Sequence, residues 1–169
     1  VPPDISSGFD FSAFRNSENS ILALTKNFQL MSPTYELIDQ PMPSSDLLPH
    51  EVVMLQLKAL QRNDERDDGI EVTFNFASPG NKAVTGPLSR YKQLVRNPLY
   101  EPIINFRSYR LGEMVIEEGQ AQQVLLLTDK YGNRVAYLFT LSRQTQSPYQ
   151  DCWMTDSVMR IEMGKRIEI

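Results

Sequence analysis

One histidine and one cysteine, His50 and Cys152, are all that 169 residues hold of those two types, and their scarcity closes several lines of chemistry. A lone thiol cannot form an intramolecular disulfide, so stability rests on packing, and Cys152 reads as a small buried hydrophobe. A single imidazole far from the only thiol cannot make a zinc site, and the carboxylates lack the spacing of a calcium loop. No serine has a histidine at an interpretable spacing. Gly80, Gly86, Gly112, Gly119 and Gly132 are isolated turn residues with no phosphate-cradling pattern. No metal or other cofactor is expected. A membrane-spanning helix is missing too, because no run of about 18 apolar residues occurs; the longest aliphatic stretch, Val124 to Leu127, suits a buried strand.

Net positive charge is also lacking, since the formal charge is −4. Residues 1–46 hold six acids (Asp4, Asp10, Glu18, Glu36, Asp39, Asp46) against Arg15 and Lys26, so the whole excess lies there and the remainder is neutral. That neutrality argues against a nucleic-acid partner. Two regions are expected: an acidic extension and linker over 1–46, ending in Pro41-Met42-Pro43-Ser44-Ser45, and a domain over 47–169. The opening Val-Pro-Pro is read as an end left by processing or by trimming. The extension is too acidic for a transit peptide. Its Phe9, Phe11 and Phe14 either pack on the extension's own domain or anchor another protein, and Ile21 to Leu24 fit a short helix or a strand.

Within the domain, Pro49 and Glu51 mark a helix start, and Val53, Leu57 and Leu60 recur at helical spacing with Val52 and Gln56 beside them. The helix ends at Arg62-Asn63-Asp64. His50 falls in its first turn and reads as a surface residue. Ile70, Val72, Phe74 and Phe76 alternate with polar residues as in a strand. Ser78-Pro79-Gly80-Asn81 reads as a turn. A second helix starts after Gly86 with Pro87 at its first position, shows Leu88, Tyr91, Leu94 and Val95 on one face, and stops at Asn97-Pro98.

Four strands follow, at roughly 103–117, 120–128, 134–141 and 153–162. Glu118-Gly119 and Asp129-Lys130-Tyr131-Gly132-Asn133 join the first three as a meander. Residues 144–151 form a longer loop. In the third strand Val135, Tyr137, Phe139 and Leu141 point one way, and Ala136, Leu138 and Thr140 the other, so the sheet needs cover on both faces. Helices serve one face; the extension, a ligand, a partner or a second copy in a homodimer serves the other. The fold class is therefore α+β, a curved antiparallel sheet of about four strands packed against two or three N-terminal helices.

The segment from Leu55 to Asp64, then Phe76-Ala77-Ser78-Pro79-Gly80-Asn81, Tyr91, Pro98-Leu99-Tyr100 and Cys152-Trp153-Met154-Thr155-Asp156 together resemble an uncharacterised family of nuclear transport factor 2-like domains found in bacteria and in plant and algal plastids. The resemblance runs from Leu47 to about Arg160. It implies a cone of helices against a curled sheet with a mouth between them, a short helix rather than a strand at Ile70 to Phe76, and a soluble chloroplast location. It implies no reaction. Enzymes of the wider superfamily use a carboxylate or a His-Asp pair inside the cone, while other members only bind.

Asp64 and Asp156 are the candidate bases, each with another reading beside it: a cap or turn for Asp64, and for Asp156 a place within the last strand near Trp153 where Asp151 and Thr155 compete for any polar role. Tyr91, Tyr100, Phe106, Phe139 and Trp153 are the candidate pocket lining, equally readable as core. From Val72 to Gly112 the cations Lys82, Arg90, Lys92, Arg96, Arg107 and Arg110 face Glu101 alone. Lys82, Arg90, Arg96 and Arg107 are the candidates to hold an anion or the acidic extension, or they are a solvated flank with few acids. The expected function is a noncatalytic binding or assembly module with a small-ligand or partner-segment pocket. Its alternative is a small-molecule isomerase or lyase using a pocket carboxylate.

Overall fold

A computed structural model describes residues 40–164. The phenylalanine trio, the Ile21–Leu24 segment and nearly all of the acidic extension lie outside them. Helix α1 (Pro49–Gln61) starts with proline, whose missing N–H costs nothing at that position, and Glu51 Oε2 accepts the Leu48 N–H at 2.7 Å. Its buried face carries Val52, Val53, Gln56, Leu57 and Leu60.

Helix α2 (Asp68–Phe76) occupies the stretch whose alternation reads as a strand. Gly69 decides the matter: a Cβ there would lie 2.2 Å from Ala59 O, so only glycine lets α2 come this close to α1. Ile70, Thr73 and Phe76 then fall on one buried side. Ser78-Pro79-Gly80-Asn81 is the start of a further helix, α3 (Pro79–Thr85), and not a free turn, because Ser78 Oγ accepts the Asn81 N–H at 3.3 Å and Pro79 takes the first helical position. In α4 (Leu88–Val95) Pro87 precedes the first helical residue instead of occupying it. Four helices are thus present among the described residues, where two or three are expected from sequence.

The expected first strand, 103–117, is three pieces. Glu101–Ile103 is a short 3-10 helix, and β1 (Ser108–Leu111) and β2 (Val115–Glu117) pair separately with β3 (Gln120–Thr128), raising the strand count to five. β4 (Arg134–Arg143) and β5 (Trp153–Ile161) complete an open, curved antiparallel sheet in the order β1-β3-β4-β5. The fold is α+β. The β3–β4 turn is closed by Asp129, whose Oδ1 accepts the N–H groups of Tyr131 and Asn133 at 2.9 and 2.8 Å, while Gly132 takes the left-handed φ of 93°.

The inner sheet face, Leu125 and Leu127 on β3 with Val135, Tyr137, Phe139 and Leu141 on β4, meets the buried faces of α1 and α2 in one core. Each fully buried large side chain contributes on the order of 1.5–3 kcal/mol. On the outer face Ala136 is buried and Leu138 half-buried, whereas Val124 and Met159 are exposed. No helix among the described residues is long and apolar enough to cross a membrane.

Candidate functional site

β5 ends the sheet, and its free edge faces α3 and α4. The N-terminal end of α3 is tied to that edge at one point: Ser78 N–H donates to Thr155 O at 2.8 Å, and Asn81 Nδ2 donates to the same oxygen at 3.0 Å. Beyond this tie the helices and the strand separate around a cavity of about 580 Å3, within the range that holds small ligands, about 300–1,000 Å3. Val84, Leu94, Tyr100 and Val158 give it apolar walls. A recess of about 40 Å3 leads inward past Gln56, Thr73 and Tyr91 toward Leu60, Ile103 and Phe139.

The polar groups at the inner end of the cavity are neutral and hydrogen-bonded in two pairs. Gln56, only 2% exposed, donates through Nε2 to Thr155 Oγ1 at 2.8 Å and to Val52 O at 3.1 Å. Thr73 Oγ1 donates to Ile70 O at 2.7 Å and lies 3.0 Å from Tyr91 Oη. Thr73 has a single hydroxyl hydrogen, so Tyr91 is the donor in that second bond. Burial pushes the Tyr91 phenol above its ordinary value, with the Thr73 hydrogen bond opposing, and Tyr91 is therefore no base near neutral pH.

Asp156 is the extra residue of a β-bulge: Leu141 pairs with Thr155 but Thr140 with Ser157. Bulges re-aim a side chain out of strand alternation, and Asp156 reaches the cavity wall while its Oδ1 accepts from Ser142 Oγ at 2.9 Å. Asp64 is nowhere on that wall. It sits exposed between α1 and α2, where Oδ1 accepts the Asp68 and Arg66 N–H groups, each at 3.1 Å. The Asp68 N–H above all holds its carboxyl below the usual carboxylate range. Those bonds make it a turn residue.

Of the five aromatic candidates, Tyr91 and Tyr100 line the cavity and Phe139 lines the recess. Phe106 is in the core, edge-on to Tyr109 with ring centroids 5.6 Å apart. Trp153 packs half-buried against the core, off the cavity wall. The four candidate cations are dispersed. Lys82 Nζ donates to Asn75 O and lies 5.2 Å from the Tyr149 ring centroid. Arg90 donates to Val84 O, Arg107 to Lys130 O, and Arg96 forms an ion pair with Asp67. Acids just N-terminal to the basic stretch answer it, Asp67 taking Arg96 and Glu71 taking Lys92. None of these cations stands on the cavity wall.

Sequence reasoning passed over Gln56, Thr73, Asn81 and Thr155. Gln56 alone left a signal, a polar residue beside the apolar stripe of α1. Among the described residues no three His, Cys, Asp or Glu side chains cluster to hold a metal. Residues 47–165 match the family model described as Domain of unknown function (DUF4864). No curated protein and no solved structure matches the chain.

Proposed function

We propose, since the chain belongs to the DUF4864 family over residues 47–165, that this domain is a noncatalytic binding module whose ligand sits between α3, α4 and the free edge of β5. The observation that carries this reading is the inner end of the cavity. Gln56, Thr73, Tyr91 and Thr155 are neutral and hydrogen-bonded in two pairs, Gln56 with Thr155 and Thr73 with Tyr91, an arrangement that orients a ligand without supplying an acid-base pair. Helices followed by a curved, unclosed sheet support the nuclear transport factor 2-like reading. The plastid location rests on that resemblance, and fractionation of the source cells tests it.

Native mass spectrometry of the full chain purified from its source should show an added small-molecule mass that is lost on denaturation. Val84→Trp at the mouth and Leu94→Trp on the wall should carry less of it. Equal added mass in wild type and both variants, or none in the wild type, rejects the reading.

The rival is an isomerase or lyase with Asp156 as base, favoured by the presence of that acidic residue along the cavity. Incubating the released ligand with fresh protein separates the two. Conversion by wild type and not by Asp156→Asn would establish the rival; a chemically unchanged ligand supports binding.

A further inference from the structure

We propose that this pocket, on the binding reading above, selects a ligand with an apolar body and a hydrogen-bond-donating head, a protonated amine or a hydroxyl, and rejects carboxylates and phosphates. What a ligand meets here depends on which polar groups on the wall still have hydrogens or lone pairs to offer.

Gln56 is the clearest case. Its Nε2 donates to Val52 O, a carbonyl that can only accept, and this fixes which way the amide points. Both Nε2 hydrogens are spent, on Val52 O and Thr155 Oγ1. Gln56 Oε1 receives no donor among the described residues, and Gln56 lines both the cavity and the recess. Tyr91 has given its hydrogen to Thr73 and has only lone pairs left. Asp156 keeps one carboxylate oxygen beyond the bond from Ser142. All three groups can accept and none can donate.

The opposing inventory is thin. No Lys, Arg or His side chain lines the cavity. Asn81 Nδ2 has already used one hydrogen on Thr155 O. The hydroxyls of Ser78, Tyr100, Thr155 and Ser157 can turn either way, so they do not discriminate. An anion entering here would lose its hydration with no cation in exchange, which is strongly unfavourable. A donor head instead satisfies Gln56 Oε1 and Tyr91 Oη, while Val84, Leu94 and Val158 take the apolar body.

Isothermal titration of the full chain at neutral pH with three probes of one shape tests this: 4-phenylbenzylamine, 4-phenylbenzyl alcohol and biphenyl-4-carboxylate. The amine and the alcohol should bind roughly ten-fold or more tightly than the carboxylate. Tyr91→Phe should narrow that gap, and Asp156→Asn should weaken the amine and leave the alcohol unchanged. A carboxylate that binds as tightly as the amine overturns the donor-head inference and leaves the pocket reading standing. Absence of binding by all three probes to folded protein, or binding that ignores Val84→Trp and Leu94→Trp alike, removes the pocket reading and the inference with it.

Discussion

Gln56 in α1 and Thr155 in β5, 99 positions apart in the chain, share a buried hydrogen bond of 2.8 Å. The same threonine accepts Ser78 N–H through its carbonyl, so one strand residue ties together α1, the start of α3 and the sheet edge. The cavity opens directly beside this junction.

Gln56→Leu should lower stability by about 1–3 kcal/mol, because it leaves the buried Thr155 hydroxyl without its donor. Thr155→Val should cost about 1 kcal/mol, since Gln56 keeps Val52 O. The double variant should lose about 1 kcal/mol less than the two single losses added together. Urea midpoints of the four proteins measure this coupling, and strict additivity would mean that the bond contributes nothing.

Acid should weaken the contact between the α1–α2 turn and α4. Arg96 donates to Asp67 and, as the largest cause, holds its carboxyl below the ordinary 3.8. A depressed folded value means that the stabilisation is present above 3.8 and is lost as the pH falls through the lower folded value. The Arg96 side chain is half-exposed, so the pair contributes at most about 1 kcal/mol. Arg96→Met should flatten the fall in urea midpoint between about pH 5 and pH 2 without abolishing it. Asp64 and Asp129 keep depressed carboxyls of their own: for Asp64 the Asp68 N–H is the chief cause, and for Asp129 bonds from Asn133, Tyr131 and Gly132 outweigh the upward push of burial. Identical pH profiles for variant and parent would remove Arg96 from the acid response.

Local rules read α1, α4, β3 and β4 from sequence because proline starts, apolar stripes and the Asp129 turn act over a few residues. The α2 stretch defeats them, since Ile70, Val72, Phe74 and Phe76 satisfy the strand period while tertiary contact at Gly69 imposes a helix. The split of β1 from β2 is set by pairing to β3, a non-local event. The cavity was legible only through its aromatics. Asn81 and Thr155 are ordinary residues in the sequence and acquire meaning when α3 meets the edge of β5. The excess of cations between Val72 and Gly112 looks like a patch in the sequence because Asp67 and Glu71, which answer two of them, lie just outside that window.

Two glycines should respond in opposite directions. Gly69→Ala drives a methyl into the Ala59 carbonyl, a backbone atom that cannot swing aside, and should cost about 3 kcal/mol or more. Gly80 lies in α3 with open space where a Cβ would be, so Gly80→Ala should gain about 0.5–1 kcal/mol from the alanine's lower unfolded-state entropy. Thermal midpoints of the two variants decide it, and a tolerated Gly69→Ala would refute the close approach of α1 and α2.

Tyr137 should control the loop that carries Tyr100 to the cavity wall. Its ring is fully buried in the core, its hydroxyl donates to Leu99 O at 2.8 Å, and its ring stacks on Tyr100 with centroids 6.3 Å apart. Arg160 Nη1 also reaches Leu99 O, at a longer 3.4 Å. Tyr137→Phe keeps the packing and removes the stronger of the two donors, so the global loss should be about 1 kcal/mol. The local effect should exceed the global one. Amides held within this loop, Tyr100 N–H on Asn97 O and Ile103 N–H on Tyr100 O, should exchange with deuterium faster, while those of the β3–β4 ladder keep their protection. Adding Arg160→Met should speed exchange in the loop further, since Leu99 O then loses both donors. Unchanged loop exchange in the double variant would mean that Tyr100 is held by packing alone and that the Tyr137 hydroxyl has no part in shaping the pocket.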